Sequence, residues 1–144
     1  MNEVENAVSC FSEGFMCSQA VLAAYAEQLG LDREAALKVS AAFGGGMGRM
    51  GETCGAVTGA FMVIGLKYGR TVVKDAQLHE KTTRLVREFV DRFKTINGSI
   101  VCRELLGCDL STPEGSKTFV DNKLRDTLCA KFVRDAAGIV KQLL

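Results

Sequence analysis

Proline is nearly missing from this sequence, and so is any excess of charge. Pro113 is the only proline, so long stretches are free of the residue that most reliably interrupts a helix. Lysine and arginine number 18 against 17 aspartates and glutamates, leaving a formal net charge of +1. With no basic field, neither a nucleic-acid partner nor an anionic membrane surface is expected. The longest apolar stretch, Ala56 to Leu66, is interrupted by Thr58, Gly59 and Gly65 and is too short to span a bilayer. It reads as a buried core helix. The start, Met1-Asn2-Glu3-Val4-Glu5-Asn6, is acidic and lacks the basic, apolar pattern of a signal peptide, so a cytoplasmic protein is expected.

Chemical absences narrow the function further. No pair of carboxylates stands isolated in an apolar setting, which leaves acid–base hydrolysis without a candidate constellation. His79 is the only histidine and lies on a polar stretch, where it reads as an exposed side chain rather than a ligand or base. No two cysteines have the C-x-x-C spacing of a thioredoxin-type couple or a zinc ribbon: Cys10 and Cys17 are seven apart, Cys102 and Cys108 six.

What the chain does have is helical periodicity. Apolar residues recur at three-to-four spacing and strict alternation is scarce, which predicts an all-α, single-domain bundle of five or more helices over residues 1–144. Val4 to Phe11 forms a short first helix, and Met16 to Leu29 a second that stops at Gly30. Asp32 caps a third. A helix from Cys54 runs to about Gly69, and a long amphipathic one from about Val73 to Ile96 carries Leu78, Leu85, Phe89, Phe93 and Ile96 on its apolar stripe. Ile100 to Leu106 makes a turn or two closed by Gly107, Ser111-Thr112-Pro113-Glu114 starts another helix, and Lys123 to Leu143 forms the last.

The second thing it has is cysteine, six in all, at 10, 17, 54, 102, 108 and 129. In a secreted protein this even number would suggest a disulfide framework; in a reducing compartment metal binding or redox chemistry is the better reading, although free cysteine is also an ordinary buried residue. Cys54 has the sharpest context. The run Gly44-Gly45-Gly46-Met47-Gly48-Arg49-Met50-Gly51-Glu52-Thr53 delivers it to a helix start, with Thr53 as the predicted N-cap. Unpaired N–H groups and the positive end of the helix dipole favour a thiolate there, and Arg49 adds a nearby cation. The competing reading is a small buried hydrophobe. Gly46 to Gly51 formally matches the dinucleotide fingerprint, but Ala35 to Phe43 before it reads as helix rather than strand, which argues against a nucleotide. Gly55 and Gly59, four apart, leave a smooth strip for another backbone to approach.

Four segments together resemble one family. Gly14-Phe15-Met16-Cys17-Ser18-Gln19-Ala20-Val21, the glycine run leading to Cys54-Gly55-Ala56-Val57-Thr58-Gly59, Cys102-Arg103-Glu104-Leu105-Leu106-Gly107, and Cys129 are similar to the C_GCAxxG_C_C family, named for its cysteines and described as redox-active. The resemblance covers most of the chain. It implies a prokaryotic, cytoplasmic protein in which Cys17, Cys54, Cys102 and Cys129 form the functional set, with Cys10 and Cys108 outside it. The literal Gly-Cys-Ala order is not reproduced, since Thr53 precedes Cys54 and Gly55 follows it. Related sequence is associated with split-Soret cytochromes, but this chain has no C-x-x-C-H attachment motif and no haem is expected.

The leading expectation is therefore a thiol redox or electron-transfer protein. Cys54 would be the activated thiolate and another of Cys17, Cys102 and Cys129 the resolving thiol, acting on a redox partner protein or a small oxidant. In the alternative, Cys17, Cys54, Cys102 and Cys129 are ligands of zinc or an iron–sulfur cluster. A third reading is a structural or interaction domain with inert cysteines and a homodimer interface. No substrate and no cysteine pairing follow from the sequence.

Overall fold

Short polar side chains set where the helices begin. In the computed structural model, which describes residues 1–144, Asn2 accepts from the Glu5 N–H (2.9 Å) while the Glu5 carboxylate returns to the Asn2 N–H, and α1 follows as Glu3–Ser12. Asp32 accepts from Ala35 N–H (2.9 Å) to open α3 (Arg33–Ser40), and Asp75 accepts from Leu78 N–H (3.1 Å) to open α5 (Ala76–Asn97). Thr112 does the same for Gly115 at the head of α7 (Pro113–Asp121), whose first residue is the proline, a position that needs no N–H. The other helices are α2 (Cys17–Ala26), α4 (Gly55–Tyr68), α6 (Cys102–Leu106) and α8 (Ala130–Leu143). There is no strand, and the chain is all-α as its periodicity predicts. No helix is long and apolar enough to cross a membrane.

Three predicted boundaries differ for physical reasons. α5 begins at Ala76 rather than at about Val73, because the Asp75 side chain caps it there. Thr53 does not cap α4, because it is drawn into a single antiparallel bridge with Val101, and Cys54 occupies the N-cap position itself. The last helix is not regular from Lys123. Residues Arg125–Cys129 form a π-helical turn in which the Ala130 N–H reaches back to the Arg125 carbonyl, and α8 starts after it. An extra residue in a turn shifts the phase of an apolar stripe without abolishing it, so periodicity passes over it. Along α5, Leu85, Phe89 and Phe93 are buried as the stripe predicts, whereas Ile96, next to the last residue of the helix, is 54% exposed.

The core gathers around α2, α4 and α8, with α1 and α5 closing its sides. Phe61, Phe89, Phe93 and Phe132 form a row with ring centroids 6.0, 5.9 and 6.1 Å apart, joining α4, α5 and α8. Tyr25 crosses the same core and donates its hydroxyl to the Ala137 carbonyl at 2.6 Å, so its polar end is satisfied. The α2–α4 contact is the closest. A Cβ on Gly59 would lie 2.8 Å from the Ser18 carbonyl oxygen, and one on Gly55 would lie 2.5 Å from the Cys17 sulfur.

That approach makes Gly59 intolerant of even one methyl group. Gly59→Ala gains about 1 kcal/mol of helix propensity but must push backbone away from backbone, so a net loss of about 1–3 kcal/mol is expected. Urea unfolding measures it. A variant as stable as the parent would show that α2 and α4 are not held this close.

Candidate functional site

The glycine run folds into a left-handed coil. Gly45, Gly46, Met47, Gly48 and Arg49 have φ of 68°, 70°, 63°, 59° and 63°, and Gly51 follows at 72°. Glycine enters this region without steric cost, whereas Met47 and Arg49 are each strained by about 1–2 kcal/mol. The coil is held by its own backbone: Gly48 N–H donates to the Ala42 carbonyl (2.7 Å), Met47 N–H to Phe43 (3.0 Å) and Glu52 N–H to Gly46 (2.9 Å). This reversal turns the chain sharply between α3 and α4 and carries Gly45 and Gly46 against α2 and α6.

A short antiparallel pairing then fixes the distant partner. Cys54 N–H donates to Ile100 (2.7 Å), Cys102 N–H to Glu52 (2.6 Å) and Arg103 N–H to Gly51 (3.1 Å). Arg103 fastens it further by reaching the Gly51 carbonyl (3.1 Å) and the Glu52 carboxylate (3.2 Å). Cys54 and Cys102, remote in sequence, thereby flank one bridge, that between Thr53 and Val101. Gly46 packs against this pairing only because it lacks a Cβ, which would sit 2.7 Å from the Cys102 Cβ.

All four cysteines expected to form the functional set line one cavity of about 130 Å³. Cys17 is the first residue of α2, Cys54 caps α4, Cys102 is the first residue of α6, and Cys129 ends the π turn. Phe11, Phe119, Phe132, Leu105, Leu106 and Leu110 supply most of the remaining wall. Arg49 and Arg125 complete it. Cys10 and Cys108 do not line it; Cys10 is buried elsewhere, beside the Arg33 guanidinium at 3.8 Å. All six cysteines are free thiols.

Sequence reasoning missed Arg125. Its Nη2 donates to the Phe11 and Phe15 carbonyls (both 2.8 Å), and its guanidinium lies 3.8 Å from the Phe11 ring centroid. The arginine thus ties the α1–α2 connection to the π turn that carries Cys129. Its only sequence signal is its position four residues before that cysteine, which is silent until the helix is known to meet α1.

The electrostatics move the thiolate from Cys54 to Cys17. Both stand at helix starts, yet Cys17 is lowered to about 7, chiefly by hydrogen bonding from the Cys54 thiol, with further N–H groups of Gly45, Ser18 and Cys17 itself. These outweigh the cost of burying its charge. Cys54 is held well above the ordinary thiol range because its proton is engaged by Cys17, and burial adds to this despite the N–H groups of Ala56 and Val57. Proximity to a helix start could not distinguish the two. One of the donors to Cys17, Gly45, comes from the coil. Burial pushes Cys102 and Cys129 up to about 12, and the other sulfurs' charge adds to the shift; Arg49 partly opposes it at Cys102 and Arg125 at Cys129. Near neutral pH Cys17 is therefore the one sulfur of the cavity that titrates, while the other three stay protonated.

No group of three or more His, Cys, Asp or Glu side chains is placed to hold a metal ion. The four cysteines face a common space. The nucleotide reading fails on topology, as helical context predicts, since α3 and a short 3₁₀ turn precede the glycine run.

The family profile described as "Putative redox-active protein (C_GCAxxG_C_C)" matches residues 15–143, and the chain belongs to that family. Comparison with curated proteins and with solved structures gives no match.

Two expectations follow from the geometry. In Cys54→Ala the Cys17 sulfur loses its leading donor, and the pH midpoint of its alkylation rises from about 7 toward the ordinary thiol range. The rate at neutral pH falls only about threefold, because a more basic thiolate is also the better nucleophile. Cys54→Ser, which keeps a hydroxyl donor, holds the midpoint near 7. A midpoint unmoved in both variants would remove Cys54 from the account. At the coil, Arg49→Gly is more stable than Arg49→Ala by about 1 kcal/mol in urea unfolding, since only glycine relieves the left-handed strain.

Proposed function

We propose that this member of the redox-active family is a thiol oxidoreductase that cycles Cys17 and Cys54 between dithiol and disulfide. The observation that carries this reading is the pairing of a low-pKa Cys17 with a protonated Cys54 at two apposed helix starts, on the wall of a cavity. A dithiol couple needs one thiolate to attack and a second thiol close by to resolve. Four anionic sulfurs would repel one another, whereas one thiolate among neutral thiols is compatible with burial.

The cycle balances in two steps. The Cys17 thiolate attacks an oxidised acceptor X–Y; a sulfur–X bond forms, the X–Y bond breaks, and Y leaves with its electron pair and takes up a proton. Cys54 then attacks the Cys17 sulfur. The S–S bond forms, X departs with its electron pair and the Cys54 proton, and the acceptor has gained the two electrons that the dithiol lost. Gly45 and Ser18 N–H groups hold the charge on Cys17 before attack, and the α4 N-terminus, through Ala56 and Val57, receives the charge that Cys54 develops while resolving. In the cytoplasm a thiol reductant would restore the dithiol. Cys102 and Cys129 face the same cavity as protonated thiols.

Titrating the fully reduced chain with a thiol oxidant, followed by peptide mapping, tests the pairing. The first disulfide formed should link Cys17 and Cys54, and Cys17→Ser should abolish it. Stoichiometric zinc or iron in anaerobically purified protein, lost on replacing these cysteines, would instead establish the metal-binding alternative.

A further inference from the structure

We propose that the acceptor is a short-chain organic hydroperoxide, its alkyl group lodged in the four-cysteine cavity and its terminal oxygen presented to Cys17. The inference rests on the dithiol reading and adds the substrate class. Cavity size comes first. At about 130 Å³ the space is slightly smaller than an apolar cavity of about 150 Å³ that holds one benzene, so a group of four or five carbons fits and a polypeptide segment does not. Wall chemistry comes second. Phe11, Phe119, Phe132, Leu105, Leu106 and Leu110 surround the thiols, so an alkyl group is favoured over water there and a strongly hydrated molecule is not.

Steric access to sulfur narrows the class. Thiol–disulfide exchange requires three sulfurs in line with a carbon substituent on each end, for which a cavity of about 130 Å³ lined by Cys17 and Cys54 leaves little room. A hydroperoxide offers an unhindered terminal oxygen and carries its bulk on the other side of the O–O bond. The cavity also has a cation for the departing alkoxide. Arg125 is committed to two carbonyls, whereas Arg49 donates to Ser116 Oγ (3.2 Å) and is paired with no carboxylate. Its left-handed backbone, off the favoured region for a side-chain-bearing residue, holds it on the cavity wall.

The chemistry is complete with the groups present. The Cys17 thiolate attacks the terminal oxygen, the sulfur–oxygen bond forms, the O–O bond breaks, and the alkoxide leaves and is protonated to the alcohol. The Cys54 thiol attacks the resulting sulfenic acid, forming the Cys17–Cys54 disulfide and releasing water. One hydroperoxide and two thiols give one alcohol, one water and one disulfide.

The test mixes the fully reduced, full-length protein with tert-butyl hydroperoxide, cumene hydroperoxide, hydrogen peroxide or glutathione disulfide. Thiol loss is followed by stopped flow and the Cys17–Cys54 disulfide by mass spectrometry, each rate being divided by that of free cysteine. tert-Butyl hydroperoxide should react at least about tenfold faster than hydrogen peroxide, from burial of its four carbons. The larger cumene hydroperoxide should lag behind it, and Phe119→Ala, which opens the wall, should narrow that gap. Equal normalised rates for the two peroxides in the parent protein would overturn the substrate class, whatever the variant does. A disulfide formed fastest with glutathione disulfide would also overturn it while leaving the dithiol cycle intact. Failure of every oxidant to join Cys17 to Cys54 would remove both.

Discussion

The structure depends on how closely α2 lies against α4. Gly55 and Gly59 present bare backbone to Cys17 and Ser18, and any Cβ there would overlap the facing atoms. This contact belongs to the core, with Ala20, Val21, Ala56, Val57 and Ala60 fully buried around it. It is also what brings the first residue of one helix and the N-cap of the other to the same point. Packing and chemistry therefore share a cause. Small residues that let two helices approach also place two cysteine sulfurs within each other's reach, at the ends where N–H groups are unpaired.

The left-handed coil supplies what two helices alone cannot. Two helix starts that met symmetrically would give two similar thiols. The coil adds the Gly45 N–H to the groups that favour charge on Cys17, while the bond to Cys17 and burial favour the proton on Cys54. Strain is concentrated at Met47 and Arg49, next to this donor, and is held by backbone hydrogen bonds and by the pairing of residues 51–54 with 100–103. Backbone strain of this kind persists only where the surroundings over-determine it. Here they also hold Arg49 on the cavity wall.

The remaining elements close the cavity. Cys102 arrives through backbone pairing, and Cys129 through a π turn anchored by Arg125 across α1. Both are kept neutral by burial, which limits the enclosed charge to one sulfur. An apolar wall around a single stabilised thiolate is a consistent electrostatic design: fixed N–H dipoles replace the water that the wall excludes.

Helix content and most helix starts were legible in the sequence because they are local. Asp32 and Thr112 each accept from an N–H three residues on, and Gly30, Gly98 and Gly107 end helices in the left-handed conformation. The grouping of Cys17, Cys54, Cys102 and Cys129 came from the family resemblance, not from spacing, since no two of them share a local motif. What the chain could not reveal is which thiol ionises. That depends first on the Cys54 thiol meeting Cys17 across a gap in sequence, and then on Gly45, a residue of the coil, adding its N–H there. Sequence by itself determined the helices and the glycines that let them touch. Only the tertiary structure decided that the charge rests on Cys17, because a thiolate is stabilised by donors assembled in space and not by its neighbours along the chain.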